Sequence, residues 1–315
     1  MKTIRTEIPE EAAAFIRSGD VVAFPTETVY GLGANALDAS AVIKIFKAKG
    51  RPSDNPLIVH IARTEQISEL AKDVPDSASK LIERFFPGPL TVVLKKKDSV
   101  PDVVTGGLDT VGIRMPLHET AARFLEACGV PVAAPSANRS GKPSPTTWQA
   151  VLSDLDGLIP CILIGDPVEI GIESTVVDCT QETPVLLRTG AVTFEQIRSV
   201  VPEALLAGSN DKILARSPGT KYRHYAPSGQ VQIVATFELA IPGPNHAYIG
   251  LDAPQQVDQF GLVQLCDSVE HYAYRLYDFF RACDAAGIHV IYCQDVEPVG
   301  LGRALHDRLN RASSR

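Results

Sequence analysis

No stretch of the chain reaches the roughly 18 consecutive apolar residues that a membrane-spanning helix requires, so no membrane association is expected. The opening run, MKTIRTEIPEEAAAFIRSGD, carries acids and has no apolar h-region, so no signal peptide is expected there. The six cysteines (Cys128, Cys161, Cys179, Cys266, Cys283 and Cys293) never form a C-x-x-C pair, which excludes a zinc knuckle or thioredoxin motif. Scattered singly, they read as reduced core thiols, and the expected location is cytoplasmic. A phosphate-binding P-loop is missing as well. Ser140-Gly141-Lys142 is a fragment of one, but the upstream glycine is absent and Pro143 comes next. Internal repeats and low-complexity tracts are absent too. The formal charge of −7 argues against a protein whose main work is coating nucleic acid, while leaving room for a local basic pocket.

What is present is an alternation of short apolar, β-rich runs with amphipathic ones. Residues 21–24, 57–62, 90–94, 111–115, 130–134, 161–164, 175–178 and 185–187 read as strands. Residues 41–49, 77–85, 119–128, 147–155 and 194–200 read as helices. Thr193 with Gln196 fits a capping box, and Gly129 fits a glycine just past a helix end. The alternation predicts an α/β domain with a mixed sheet over residues 1–207. Residues 208–229 read as a linker. There Lys212, Arg216, Lys221 and Arg223 face a single acid, Asp211, and Tyr222, His224 and Tyr225 are interleaved. Residues 230–315 read as a smaller α/β domain. Its strands are expected at 231–235, 247–251 and 289–293, with a strong helix over 268–286 that Asp267 and Glu270 are placed to cap. A chain of 315 residues is comfortable for two hydrophobic cores.

Each local motif has an ordinary alternative. Gly31-Leu-Gly33-Ala-Asn-Ala36 matches G-x-G-x-x-A, but a dinucleotide site needs an acid at the end of the next strand. That strand ends in Ala62-Arg63, and Asp54 precedes it, so a glycine-rich turn is the better reading. Lys47 and Lys49 could simply complement a helix C-terminal dipole, whereas Arg51, beyond Gly50, could meet phosphate or carboxylate as a fork of donors. Ser136, Asn138 and Ser140 past one strand, Thr26-Glu27-Thr28 past another, and Glu173-Ser174 before a third would each pass as turns. His60 alone would pass as a core histidine. Their recurrence at strand ends, where open α/β sheets bind ligands, raises them together.

In order, Phe24-Pro-Thr-Glu-Thr-Val-Tyr-Gly-Leu-Gly33, Lys49 with Arg51, Asn55-Pro-Leu-Ile-Val-His60, Phe86-Pro-Gly-Pro-Leu-Thr91, Thr110-Val-Gly-Ile-Arg114, Ala134-Pro-Ser-Ala-Asn138 and Gly171-Ile-Glu-Ser-Thr175 resemble the threonylcarbamoyl-AMP synthases, the YrdC-like family. The segment from Ser217 to Pro227 and the residues beyond it resemble the family's long, two-domain form. The resemblance implies a twisted, mostly open mixed sheet with flanking helices and a large concave cavity, joined by the linker to the smaller C-terminal α/β domain. It implies that L-threonine, bicarbonate and ATP, carried with Mg2+, give threonylcarbamoyl-AMP and pyrophosphate. A transferase complex then acts on tRNA, and at most a weak direct contact with RNA is expected.

By the same resemblance, Thr28, His60, Arg114 and Ser174 hold threonine. Arg51, Asn55, Thr110, Ser136, Ser144 and Arg188 hold ATP. Lys49, Arg51, Ser136 and Asn138 form the catalytic tetrad, with Lys49 and Arg51 neutralising the triphosphate. Tyr222 and His224 are expected to close over the cavity, and no protein-held metal is expected. The competing classes are a double-stranded RNA-binding module, disfavoured by the acidic charge, and a carbamoyl-transfer domain, whose usual accessory modules are not visible.

Overall fold

Short runs that are apolar at every position form strands when both faces of a sheet are covered, and that is how the first part of this chain folds. The computed structural model describes residues 2–208, 212–217, 225–254 and 256–314. The strands are β1 (Ile4–Thr6), β2 (Val22–Phe24), β3 (Gly31–Asn35), β4 (Ile58–His60), β5 (Leu90–Lys95), β6 (Thr110–Arg114), β7 (Val132–Ala134), β8 (Cys161–Leu163), β9 (Thr175–Asp178), β10 (Val185–Arg188) and β11 (Leu205–Leu206). They form one 11-stranded mixed sheet in the order β1-β8-β2-β3-β7-β4-β6-β5-β9-β10-β11.

Side-chain alternation divides the core between the two faces. Val22, Phe24, Val132, Cys161 and Leu163 pack with the helices Pro9–Arg17 and Glu119–Cys128. The intervening Ala23, Ala133 and Ile162 join Val59, Val92 and Ile113 under the helix Ala39–Lys49 on the other side. That helix starts where the Asp38 carboxylate accepts from Ser40 N and Ala41 N, and it stops at Gly50 in a left-handed conformation. The capping box at Thr193–Gln196 and the left-handed Gly129 occur as expected.

Gly31-Leu-Gly33 is not the turn expected from its glycines; it is strand β3. The glycines are there for the Phe24 ring of the adjoining strand. A Cβ at Gly33 would lie 2.6 Å from a Val132 methyl and 2.9 Å from the Phe24 ring. The absence of two side chains lets the ring lie flat on the strand.

A second sheet holds β12 (Gln230–Val234), β13 (Gly243–Gly250), β14 (Phe260–Leu265) and β15 (Val290–Gln294) in the order β12-β15-β13-β14, all parallel. The helices Val269–Ala285 and Leu301–Ser313 bury Leu276, Phe280, Leu305 and Leu309 against it. Ser268, not Asp267, caps the first of these helices by accepting from His271 N. Asp267 turns instead to the His271 ring at 2.8 Å. Val29 and Ile172, from the first sheet's loops, belong to this same cluster, so the two units share a core. Arg281 also reaches the buried Asp154 at 2.9 Å across the junction.

Gly33→Ala is expected to cost about 1–3 kcal/mol through overpacking, read as a lower urea midpoint at unchanged m-value. An unchanged midpoint would mean that Phe24 does not demand the glycine.

Candidate active site

A cleft opens at the strand ends, lined among others by Thr26, Thr28, Gly31, Arg51, His60, Arg114, Ser136, Glu173, Ser174, Arg188 and Tyr225. Strand register builds its centre. β4 and β6 are parallel with His60 opposite Arg114, so imidazole and guanidinium emerge side by side. His60 is buried with its ring edge-on to Phe24 at 5.8 Å, and its Nδ1 has no hydrogen-bond partner among the described residues. Burial first, and the Arg114 charge second, push its pKa down to about 3, so the ring is neutral. Arg114 Nη2 lies 2.7 Å from Glu27 Oε2, an ion pair with both side chains buried. Beside it, the Thr26 hydroxyl donates to Val29 O at 2.7 Å and lies 2.8 Å from the Thr28 hydroxyl, which fixes the loop that leads into β3.

The segment after β7 is tied down from behind. The Lys49 ammonium, buried beneath it, donates to the carbonyls of Ser136 and Asn138. The Ser136 hydroxyl donates to Asn138 Oδ1, and the Asn138 amide donates to the carbonyls of Arg139 and Lys142 at 2.9 and 2.8 Å. Burial, with the charge of Arg51 next, pushes Lys49 well below the usual lysine range. The oxygens around the ammonium are what make a buried cation tolerable. Of the expected tetrad, Arg51 and Ser136 line the cleft, while Lys49 and Asn138 form the knot behind it.

On the opposite wall, Arg188 donates through Nε to Ser174 O at 3.0 Å and through Nη2 to Ser174 Oγ at 3.1 Å. That hydroxyl lies 2.9 Å from the Thr91 hydroxyl. Glu173 is held by Ser144 at 2.6 Å, Tyr277 at 3.0 Å and Arg308 at 2.9 Å. Burial alone would raise its carboxyl, but the charges of Arg308 and Arg188 hold it below the usual carboxylate range.

The four residues expected to hold threonine, Thr28, His60, Arg114 and Ser174, therefore share one cleft with Arg51, Ser136 and Arg188. Asn55, Thr110 and Ser144 are buried but not among its lining residues. Among the described residues, neither Asn55 Oδ1 nor Nδ2 has a hydrogen-bond partner. Tyr222 and His224 lie outside the described residues, but Tyr225, one position further on, lines the cleft. Sequence reasoning assigned no role to Thr26, Glu27, Glu173 or Tyr225. An acid inside the otherwise neutral Phe24–Gly33 run was the available signal for Glu27.

Three guanidinium groups, Arg51, Arg114 and Arg188, converge with hydroxyls and a neutral imidazole. This is a donor set for anionic groups such as carboxylate and phosphate. Among the described residues, no three or more His, Cys, Asp or Glu gather as a metal site. The fold and cleft define an α/β protein that binds small anionic substrates at its strand ends.

Residues 14–190 match the Sua5, YciO and YrdC family model, described as "Telomere recombination", and residues 192–314 match "Threonylcarbamoyl-AMP synthase, C-terminal domain". A threonylcarbamoyl-AMP synthase of Pyrococcus abyssi is 48% identical, over 96% of this chain and 93% of that protein. One of Bacillus subtilis is 44% identical, over 96% and 92%. The crystal structure of P. abyssi Sua5 complexed with L-threonine superposes with a TM-score of 0.89 at 45% identity, covering 99% of this chain and 97% of that one. The chain belongs to the threonylcarbamoyl-AMP synthase family in its two-domain form.

The buried imidazole makes stability pH-dependent. Between about pH 6.5 and 3 the unfolded chain carries a proton at His60 that the folded chain does not, so stability falls as pH falls through that window. This residue should contribute a slope of up to about 1.4 kcal/mol per pH unit, and His60→Gln should lose it. Equal slopes for both proteins in urea unfolding at several pH values would show a solvated ring. Lys49→Met should cost about 1–3 kcal/mol by stranding buried carbonyls; a lysine that served only phosphate would leave the urea midpoint unchanged.

Proposed function

We propose that the chain is an L-threonylcarbamoyladenylate synthase, a nucleotidyltransferase that condenses L-threonine, bicarbonate and ATP to threonylcarbamoyl-AMP and pyrophosphate. The observation that carries the reading is the convergence, in one cleft, of Thr28, His60, Arg114 and Ser174 with Arg51, Ser136 and Arg188. Whole-chain likeness to proteins named for this activity supports it.

Threonine's amine must become a carbamate, an anion that water destroys, and the carbamate then attacks the α-phosphate of ATP as pyrophosphate leaves. Such a transfer needs charge neutralisation and in-line placement more than covalent catalysis. Arg114 takes the threonine carboxylate, which competes with Glu27 for the guanidinium. A neutral His60 serves the amine or hydroxyl as a hydrogen-bonding group and carries no charge to repel the ammonium. Arg51 and Arg188 face the phosphates, with Ser136 donating from the anchored segment. Lys49 and Asn138 hold that segment in place. Asn55, Thr110 and Ser144 complete the nucleotide end from outside the cleft wall.

Magnesium arrives with the nucleotide on this reading. Among the described residues, the carboxylates of Glu27 and Glu173 are engaged by arginines, which fits a metal held by the phosphates. Tyr225, with Tyr222 and His224 before it, excludes water once substrates are bound. The product passes to a transferase complex acting on tRNA, in the cytoplasm, with at most weak RNA contact by this chain.

Pyrophosphate release by the purified protein with ATP and magnesium should require both L-threonine and bicarbonate, with serine much poorer. Release indifferent to threonine would sink the reading. Arg51→Ala should abolish release while the unfolding free energy from urea titration stays within about 1 kcal/mol of wild type; near-normal turnover would remove Arg51 from the nucleotide site.

A further inference from the structure

We propose that Arg308 and Tyr277, both in the second unit, are positioning residues for the threonine end of the cleft and act through Glu173; this rests on the threonine-activating reading above. Glu173 stands in the cleft wall next to Ser174. Its carboxylate is fully engaged: Oε2 accepts from Arg308 Nε at 2.9 Å and from the Tyr277 hydroxyl at 3.0 Å, and Oε1 accepts from the Ser144 hydroxyl at 2.6 Å. Two of these three donors come from the helices Val269–Ala285 and Leu301–Ser313.

Arg308 is completely buried, and its other donors go to Thr189 O at 3.0 Å and to Asp307 at 2.6 Å. Its fork thus grips Glu173 and Thr189 together. The backbone adjoining the two grips is closely packed, because a Cβ at Gly190, next to Thr189, would lie 2.4 Å from Thr175 N and 2.6 Å from Glu173 O. Ser174 sits inside this clamp, with its hydroxyl oriented by Arg188 and Thr91. The same two residues also hold Tyr225. Its ring stacks on Tyr277 at 5.5 Å, and the Arg308 guanidinium lies 5.3 Å from its centre. One wall of the cleft is therefore mounted on helices of the other unit.

The charges facing Glu173 are Arg308 from the second of those helices and Arg188 from β10; the titratable but neutral hydroxyls of Tyr277 and of Tyr225, from the segment before β12, also face it. Burial drives the carboxyl towards its neutral form, and Arg308 is the strongest charge opposing this. Without Arg308, Glu173 takes up a proton at higher pH.

The test uses the full chain carrying Arg308→Met, Arg308→Lys or Tyr277→Phe. It combines calorimetric titration with L-threonine, calorimetric titration with ATP, and kcat/KM for threonine as a function of pH. Arg308→Met should weaken threonine binding about tenfold or more through misplacement of Ser174, weaken ATP binding by a smaller factor because Arg188 and Ser144 are tied to the same wall, and move the acid limb of the profile towards neutral pH. Arg308→Lys should restore part of each effect. Tyr277→Phe, which removes one donor to the carboxylate and no charge, should weaken threonine binding and move the limb in the same direction by less than Arg308→Met, and it decides the matter if Arg308→Met does not fold. Wild-type threonine affinity and an unshifted limb in the folded variants, or equal losses for both substrates, would overturn the proposal alone. A wild-type chain that binds no threonine would overturn the functional reading and this proposal with it.

Discussion

A carboxylate buried without partners costs several kcal/mol, and the structure around Glu173 is organised by that constraint. The charge sits in the wall of the substrate cleft, where neither water nor its own β-sheet can satisfy it. Arg308 and Tyr277 come to it from the far end of the sequence, and Ser144 comes from the loop after β7. Satisfying one acid therefore brings the second unit's helices onto the first unit's cleft. The common core around Val29 and Ile172 accompanies the same contact. Two α/β units, each with its own sheet, are joined by this polar centre beside a shared apolar core.

The cleft itself arises from strand pairing. Parallel register between β4 and β6 sets His60 beside Arg114, and the glycines of β3 let Phe24 lie beneath them. Burial keeps the imidazole neutral, while Arg114 is paired with Glu27. A neutral hydrogen-bonding ring next to a fixed cation suits a zwitterionic amino acid, since the cation meets the carboxylate and the ring does not oppose the ammonium. The cationic end is held less by the cleft residues than by the Lys49 knot, which spends its charge on backbone carbonyls to keep Ser136 in place.

Much of this was legible in residue order. The strands at 175–178 and 185–188, the latter expected at 185–187, were legible as short apolar runs buried at nearly every position, and the helices Glu119–Cys128 and Phe194–Val200 by their amphipathic spacing and end signals. The helix Leu301–Ser313 was hidden because its buried stripe of Ala304, Leu305 and Leu309 is interrupted by a buried arginine that any sequence reading places outside. Strand β3 was hidden because its glycines answer to Phe24, a neighbour across the sheet rather than along the chain. The helix Pro9–Arg17 buries small alanines, whose apolar signal is faint.

Residue order alone determined which side chains could carry the chemistry: hydroxyls, one histidine and arginines placed just past apolar runs, in a succession that matches one family. It could not determine which of them face the cleft. Lys49 and Arg51 are two residues apart, yet one is buried under a loop and the other lines the cavity, because a helix ends between them at a left-handed Gly50. Only the tertiary structure decided that Glu173 and Arg308, 135 positions apart, neutralise each other. The pairing of buried charges depends on distances in space, and local propensities carry no record of those distances.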